Sequence, residues 1–168
     1  FTDVTILDNV MVPLLARSKI SLFTEILSRR QYKQVYEELR PVAMNALDVV
    51  GIKNKAERSA QMLSYGDQKR LEIARCYAIN PQIIMLDEPV AGLNTDERWS
   101  IQSLICELNR SGITIILIEH DMKMVMGISN RIAVLNHGSA IALGTPLEVS
   151  NNEDVIKAYL GIEEEDNE

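Results

Sequence analysis

Apolar side chains recur at helical spacing over residues 6–18 and again over 31–50, where Leu39, Val42, Ala43, Ala46 and Val50 share one stripe opposite charged positions. Two amphipathic helices are expected there. Pro41 marks a first turn or a kink, because proline cannot donate to the helical ladder, and Gly51 ends the second helix. Residues 52–62 are mostly charged or small and read as a loop. Beyond Gly66 the texture changes to helix and strand in alternation. A helix is expected over Asp67–Ile79, then a break at Asn80-Pro81. Ile83–Leu86 follows as a short strand, apolar on both faces and therefore expected to be buried on both. The same cycle repeats with a helix over Asp96–Asn109, a buried strand over Ile113–Ile118 and a helix over Met122–Ser129. Two short strands, Arg131–Asn136 and Ser139–Leu143, flank a turn at His137-Gly138, and a last helix is expected near Asn152–Leu160. Alternation of this kind builds an α/β fold with a parallel sheet, here with a helical insert at its front.

Composition narrows the function classes. The 168 residues are 46% hydrophobic, enough for one real core. The net charge of −7 is concentrated in a tail, since five acids fall within Glu163–Glu168; without them nineteen acids face seventeen bases. The body therefore lacks the basic excess that tracks a phosphate backbone, and no nucleic-acid partner is expected. Cys76 and Cys106 stand apart from each other and from the histidines. They read as buried free thiols of a reducing compartment. No run approaches the roughly 18 apolar residues of a membrane span, and no signal core is visible, so the expected place is the cytoplasm.

Three segments carry chemistry. Ile83–Leu86 delivers Asp87 and Glu88 to the carboxyl edge of a parallel sheet, where ligands of such sheets sit. Four apolar residues and then two acids form a Walker B pattern. Asp87 would hold Mg²⁺, a hard cation that prefers carboxylate oxygen, and Glu88 would polarise an attacking water as general base. Polar turn residues at a strand end are the plain alternative. Upstream, Ser64 can cap a helix whose early Gly66 leaves backbone N–H groups open to an anion. An ordinary capped helix, with Asp67 completing a box-like cap, is the competing reading. Downstream, the strand Ile113–Ile118 leads into Glu119-His120-Asp121, so His120 reaches the same edge and can hydrogen-bond a phosphate oxygen or water. His137, in its hairpin turn, has no such neighbours.

Order and spacing together resemble the ABC ATPase family. The residues concerned are Leu63-Ser64-Tyr65-Gly66-Asp67-Gln68, the strand ending in Asp87-Glu88, Ala91-Gly92-Leu93-Asn94, and His120. The resemblance implies a P-loop NTPase-like, RecA-type core with a helical subdomain, incomplete at its N-terminus. It also implies roles: a signature motif at residues 63–68, Walker B at Asp87 and Glu88, a D-loop containing Asn94 and an H-switch at His120. Tyr65 and Asp67 depart from the usual LSGGQ. With Arg70–Arg75, Asp87–Asn94 and the ending Val155–Gly161, they look like the ATP-binding subunits of branched-chain amino acid importers. ATP and Mg²⁺ as cofactors, a second ATPase subunit and membrane permease subunits as partners, and a peripheral position on the inner face of the cell membrane follow from that likeness. The expected division is a helical subdomain over 1–62, the rest of the ATPase core over 63–162 and an acidic tail over 163–168.

None of the eight glycines is followed by lysine, so no GxxxxGK[ST] phosphate loop is present in these 168 residues. Phe1 is not a start methionine and the N-terminus reads as cut, with the glutamine loop expected before it. The chain by itself is then expected to bind ATP very weakly and to hydrolyse essentially none. A truncated, noncatalytic module that lends its signature segment to a partner subunit is the alternative. The acidic balance, the importer-like ending and the missing coiled-coil heptads argue against a DNA-repair or ribosome-associated relative.

Overall fold

The computed structural model describes residues 1–18 and 29–160, with the side chains of 159 and 160 left aside. The chain divides into two compact units, Phe1–Ile118 and Glu119–Glu168.

The first unit opens with α1 (Ile6–Arg17) and α2 (Arg29–Val49). Thr5 caps α1 by accepting from the Asp8 N–H. Ile6, Leu7, Val10, Met11 and Leu14 of α1 are buried, as are Ala43, Ala46 and Leu47 of α2, and both helices pack against α3 (Tyr65–Ala78). Pro41 neither starts nor ends α2 but lies inside it. Pro41 and Glu37, whose carbonyl loses its N–H partner there, are both exposed, so water can satisfy the group that the proline leaves over. The 52–62 segment is more ordered than a loop: it forms short 3₁₀ turns at Lys53–Lys55 and Ala60–Met62. It is also tied to the start of the chain by Ile6 N–H to Arg58 O (3.0 Å), Leu7 N–H to Ala56 O (2.9 Å) and Ala60 N–H to Val4 O (3.1 Å). Buried Asn9 closes this seam, donating to the carbonyls of Phe1 (2.8 Å) and Thr5 (3.0 Å).

After α3, Asn80 takes a left-handed φ of 51° and stops the helix where the Asn-Pro break is expected. β1 (Ile83–Asp87) then pairs in parallel with β2 (Thr114–Ile118), in the register Ile83 to Thr114 through Asp87 to Ile118, with α4 (Thr95–Arg110) between them in sequence. The expectation of strands buried on both faces is corrected here. Ile84 is buried, but Ile83 (55%), Met85 (67%), Ile116 (43%) and Ile118 (54%) are solvent-exposed, because among the described residues only one face of this sheet is covered. Cys76 likewise lies on the exposed side of α3 rather than in a core, and Cys106 is half-buried.

The second unit contains α5 (Met122–Ile128), the antiparallel hairpin β3 (Ile132–Asn136) and β4 (Ser139–Gly144), α6 (Pro146–Ser150) and α7 (Glu153–Val155), followed by a π-helical turn over Ile156–Leu160. His137 (φ 46°) and Gly138 (φ 80°) make the hairpin turn, a pair of left-handed residues whose twist matches that of the strands. A register shift at Val134/Leu135 bulges the ladder. Ile132, Val134, Val149 and Val155 form the core, with Met122, Val125 and Met126 packed on it. The acidic tail at 163–168 lies outside the described residues. No helix of the described residues is long and apolar enough to cross a membrane.

Candidate functional site

The carboxyl ends of β1 and β2 coincide, with Asp87 opposite Ile118. The next residue, Glu88, donates its N–H to Ile118 O (2.9 Å), which clamps the turn onto the neighbouring strand. Glu88 has a φ of 45°, a left-handed backbone that costs a side-chain-bearing residue energy and is held here only by its surroundings. The turn continues through Ala91 N–H to Glu88 O (3.2 Å) to Gly92, whose φ of 74° suits glycine. Asp87 and Glu88 are both exposed, acceptor-only carboxylates at the sheet edge, a donor set that suits a hard cation already carrying water or phosphate oxygens. Among the described residues no three His, Cys, Asp or Glu gather into a metal cage.

Asn94 caps α4. Its side chain accepts from Glu97 N–H (3.0 Å) while Glu97 returns a carboxylate oxygen to Asn94 N–H (3.2 Å), a reciprocal capping box. Ser64 caps α3 in the simpler way, its hydroxyl accepting from Asp67 N–H (3.2 Å). No box forms there, because the Asp67 carboxylate pairs with Lys55 instead. Leu63 is buried, its carbonyl accepting from the Gln68 side-chain amide (3.2 Å), so Gln68 is turned back onto the turn before the helix. Tyr65 is half-exposed, with the Lys69 ammonium 5.7 Å from its ring centre.

The 63–68 segment and the turn after β1 meet. A Cβ built on Gly66 would lie 2.8 Å from a Glu97 carboxylate oxygen, and one built on Gly92 would lie 3.1 Å from the Tyr65 ring. The space beside Gly66 is therefore filled by Glu97 rather than left open to an anion. An adjoining cleft of about 230 Å³ has Asp67, Asp96 and Glu97 on its walls, with Arg70 held by Val50 O (2.6 Å) and by the Ser100 hydroxyl. Ser64 lines the same cleft; with Asp67 paired to Lys55 and Arg70 on the wall, the carboxylates of Asp96 and Glu97 oppose an anion on that side of the helix start.

His120 is exposed and lies in the second unit, two residues past the end of β2. Asp121, next to it, caps α5 by accepting from Met124 N–H (3.2 Å).

The sequence pattern of the ABC transporter family matches residues 2–91. The chain belongs to the ABC transporter family. Residues 141–165 also match the pattern described as branched-chain amino acid ATP-binding cassette transporter. Over 162 residues the chain is 48% identical to the high-affinity branched-chain amino acid transport ATP-binding protein LivG of Salmonella typhimurium, and 41% identical to BraF of Pseudomonas aeruginosa, which carries the same description. Those alignments cover 96% of this chain and 64% of the relatives, so the chain spans less than two thirds of their length. Among solved structures, the ADP conformation of MJ1267, an ATP-binding cassette of an ABC transporter, superposes with a TM-score of 0.77 at 26% identity, over 95% of this chain and 64% of that one. The fold is accordingly the mixed α/β of ABC ATPase domains, with a parallel sheet and a helical part.

Glu97 did not stand out in the sequence, although the spacing Asn94-x-x-Glu97 is a capping-box signal. What the spacing could not carry is the contact with Gly66, which is formed between residues thirty-one positions apart.

Proposed function

We propose that this chain forms part of the ATP-binding and ATP-hydrolysing subunit of an importer for branched-chain amino acids. The observation that carries the reading is the exposed Asp87-Glu88 pair at the carboxyl edge of β1, with the Ser64-capped helix start joined to the turn that follows it. The likeness to LivG and BraF supports the cargo class.

In this reading Asp87 holds Mg²⁺ directly or through water, and Glu88 takes the proton of the attacking water. Its left-handed backbone lies at the sheet edge, in the turn clamped to β2. Magnesium, when bound, neutralises phosphate charge that the carboxylates would otherwise repel. His120 hydrogen-bonds a phosphate oxygen or the water. Leu63, Ser64, Tyr65, Gly66, Asp67 and Gln68 present the start of α3 to nucleotide held by a second ATPase subunit, through the Ser64 hydroxyl and the positive helix end, and Asn94 lines the same junction. Residues 1–62 serve as the helical subdomain that meets permease subunits at the inner face of the membrane, and 63–162 belong to the ATPase core.

The deciding experiment measures ATP turnover and ATP binding by a full-length subunit, phosphate loop included, assembled with its partner subunits. The Glu88→Gln variant should lose about 10²- to 10⁴-fold in turnover while still binding ATP, the range expected for removal of a general base. Turnover unchanged in that variant would overturn the assignment.

A further inference from the structure

Resting on the ATPase reading above, we infer that Glu97 is a positioning residue which, together with Tyr65, locks the start of α3 to the turn after β1, so that Ser64 and Glu88 are carried by one rigid piece. Two contacts make the lock, and each uses a glycine as its socket. One Glu97 carboxylate oxygen accepts from Asn94 N–H at 3.2 Å, while the other lies 2.8 Å from where a Gly66 Cβ would stand. Meanwhile the Tyr65 ring closes on Gly92, 3.1 Å from the corresponding point. Both distances are shorter than an ordinary side-chain contact, so neither glycine accepts a larger residue unless its partner moves. Gly66 is buried and Gly92 has a left-handed φ of 74°, so backbone rearrangement is a costly escape at either socket.

The consequence is mechanical. Glu97 is held through its own backbone, since its N–H donates to Asn94 Oδ1 at 3.0 Å, and Asn94 ends the turn that begins at Glu88. Arg70, one turn further along α3, reaches the Ser100 hydroxyl on α4, so the two helix starts are also tied behind the sockets. Movement of the 64–66 turn toward the 88–94 turn is therefore opposed at both contacts. In this arrangement Glu97 acts by setting the spacing of Ser64 and Glu88.

The test uses the full-length subunit assembled with its partner subunits and compares the wild type with Glu97→Gln, Glu97→Ala, Gly66→Ala and the Gly66→Ala/Glu97→Ala pair. Glutamine keeps the bulk and the accepting oxygen and should retain wild-type turnover. Glu97→Ala should lower kcat by about tenfold to a hundredfold, the scale of an ångström-level misplacement, with the KM for ATP unchanged. Gly66→Ala should cost about tenfold less on the Glu97→Ala background than on the wild type, because the added methyl group then meets empty space. Equal kcat for wild type and Glu97→Ala, a change confined to KM, or strict additivity in the pair would each overturn the lock while leaving the ATPase reading intact. A full-length wild-type subunit, phosphate loop included, that neither binds nor hydrolyses ATP in the assembly would overturn the ATPase reading itself.

Discussion

Tyr36 shows how much one side chain can join. Its hydroxyl donates to Asp8 Oδ1 across α1 and α2 at 2.7 Å, and Asp8 Oδ2 accepts from the Thr5 hydroxyl that caps α1. Removing the donor with Tyr36→Phe should lower unfolding stability by about 0.5–1.5 kcal/mol, as a shift in the urea midpoint at unchanged slope. Burial, and then the bond to Asp8, hold the Tyr36 phenol well above its ordinary range. A group whose folded pKa is raised contributes stability that is complete below the unfolded value and fades as pH rises through the folded one. Wild type should therefore lose stability above about pH 10 more steeply than Tyr36→Phe, which a pair of denaturation series at pH 8 and pH 11 would read. Such pairings are poorly legible in sequence. Asp8 and Tyr36 are twenty-eight residues apart, and nothing in either neighbourhood announces the other.

Helix starts, by contrast, are written locally. Ser64, Asn94 and Asp121 cap their helices by bonds to residues three positions on, as the sequence signals for helix starts require. The start of α6 is as clear, with Thr145, Pro146 and Glu148 forming a capping box with proline at the first helical position, yet so short a helix has no apolar period to draw attention to it. Thr145→Ala should destabilise the second unit by about 1 kcal/mol, seen as faster amide exchange over 145–150 before any other segment. The Glu148 carboxyl is held below its usual range by the Thr145 N–H and hydroxyl. Its contribution is thus present above the ordinary carboxylate pKa and lost as pH falls through the lowered one, and an NMR titration of its side chain should show the depressed midpoint. Strand existence and order were equally legible from short apolar runs; their burial was not.

At the scale of the whole molecule the open sheet face is the feature with the largest physical consequence. Met85 and Ile116 are paired in register and both exposed, beside Ile83 and Ile118. A contiguous apolar strip of this kind should bind a hydrophobic dye and promote self-association of the 168-residue chain. Met85→Thr with Ile116→Thr should lower dye fluorescence and raise the concentration at which light scattering appears, with little change in far-UV circular dichroism. The apolar and polar pattern by itself determined the alternation of helices and strands, the turn at His137-Gly138 and the delivery of Asp87 and Glu88 to a strand end, because each depends on residues near one another in the chain. Only the tertiary structure decided that α2 passes through Pro41, that Asp67 answers Lys55 rather than its own helix start, and that the space beside Gly66 belongs to Glu97. Those outcomes depend on which surfaces meet and which remain in water, and a contact between distant segments leaves no periodicity for a sequence to display.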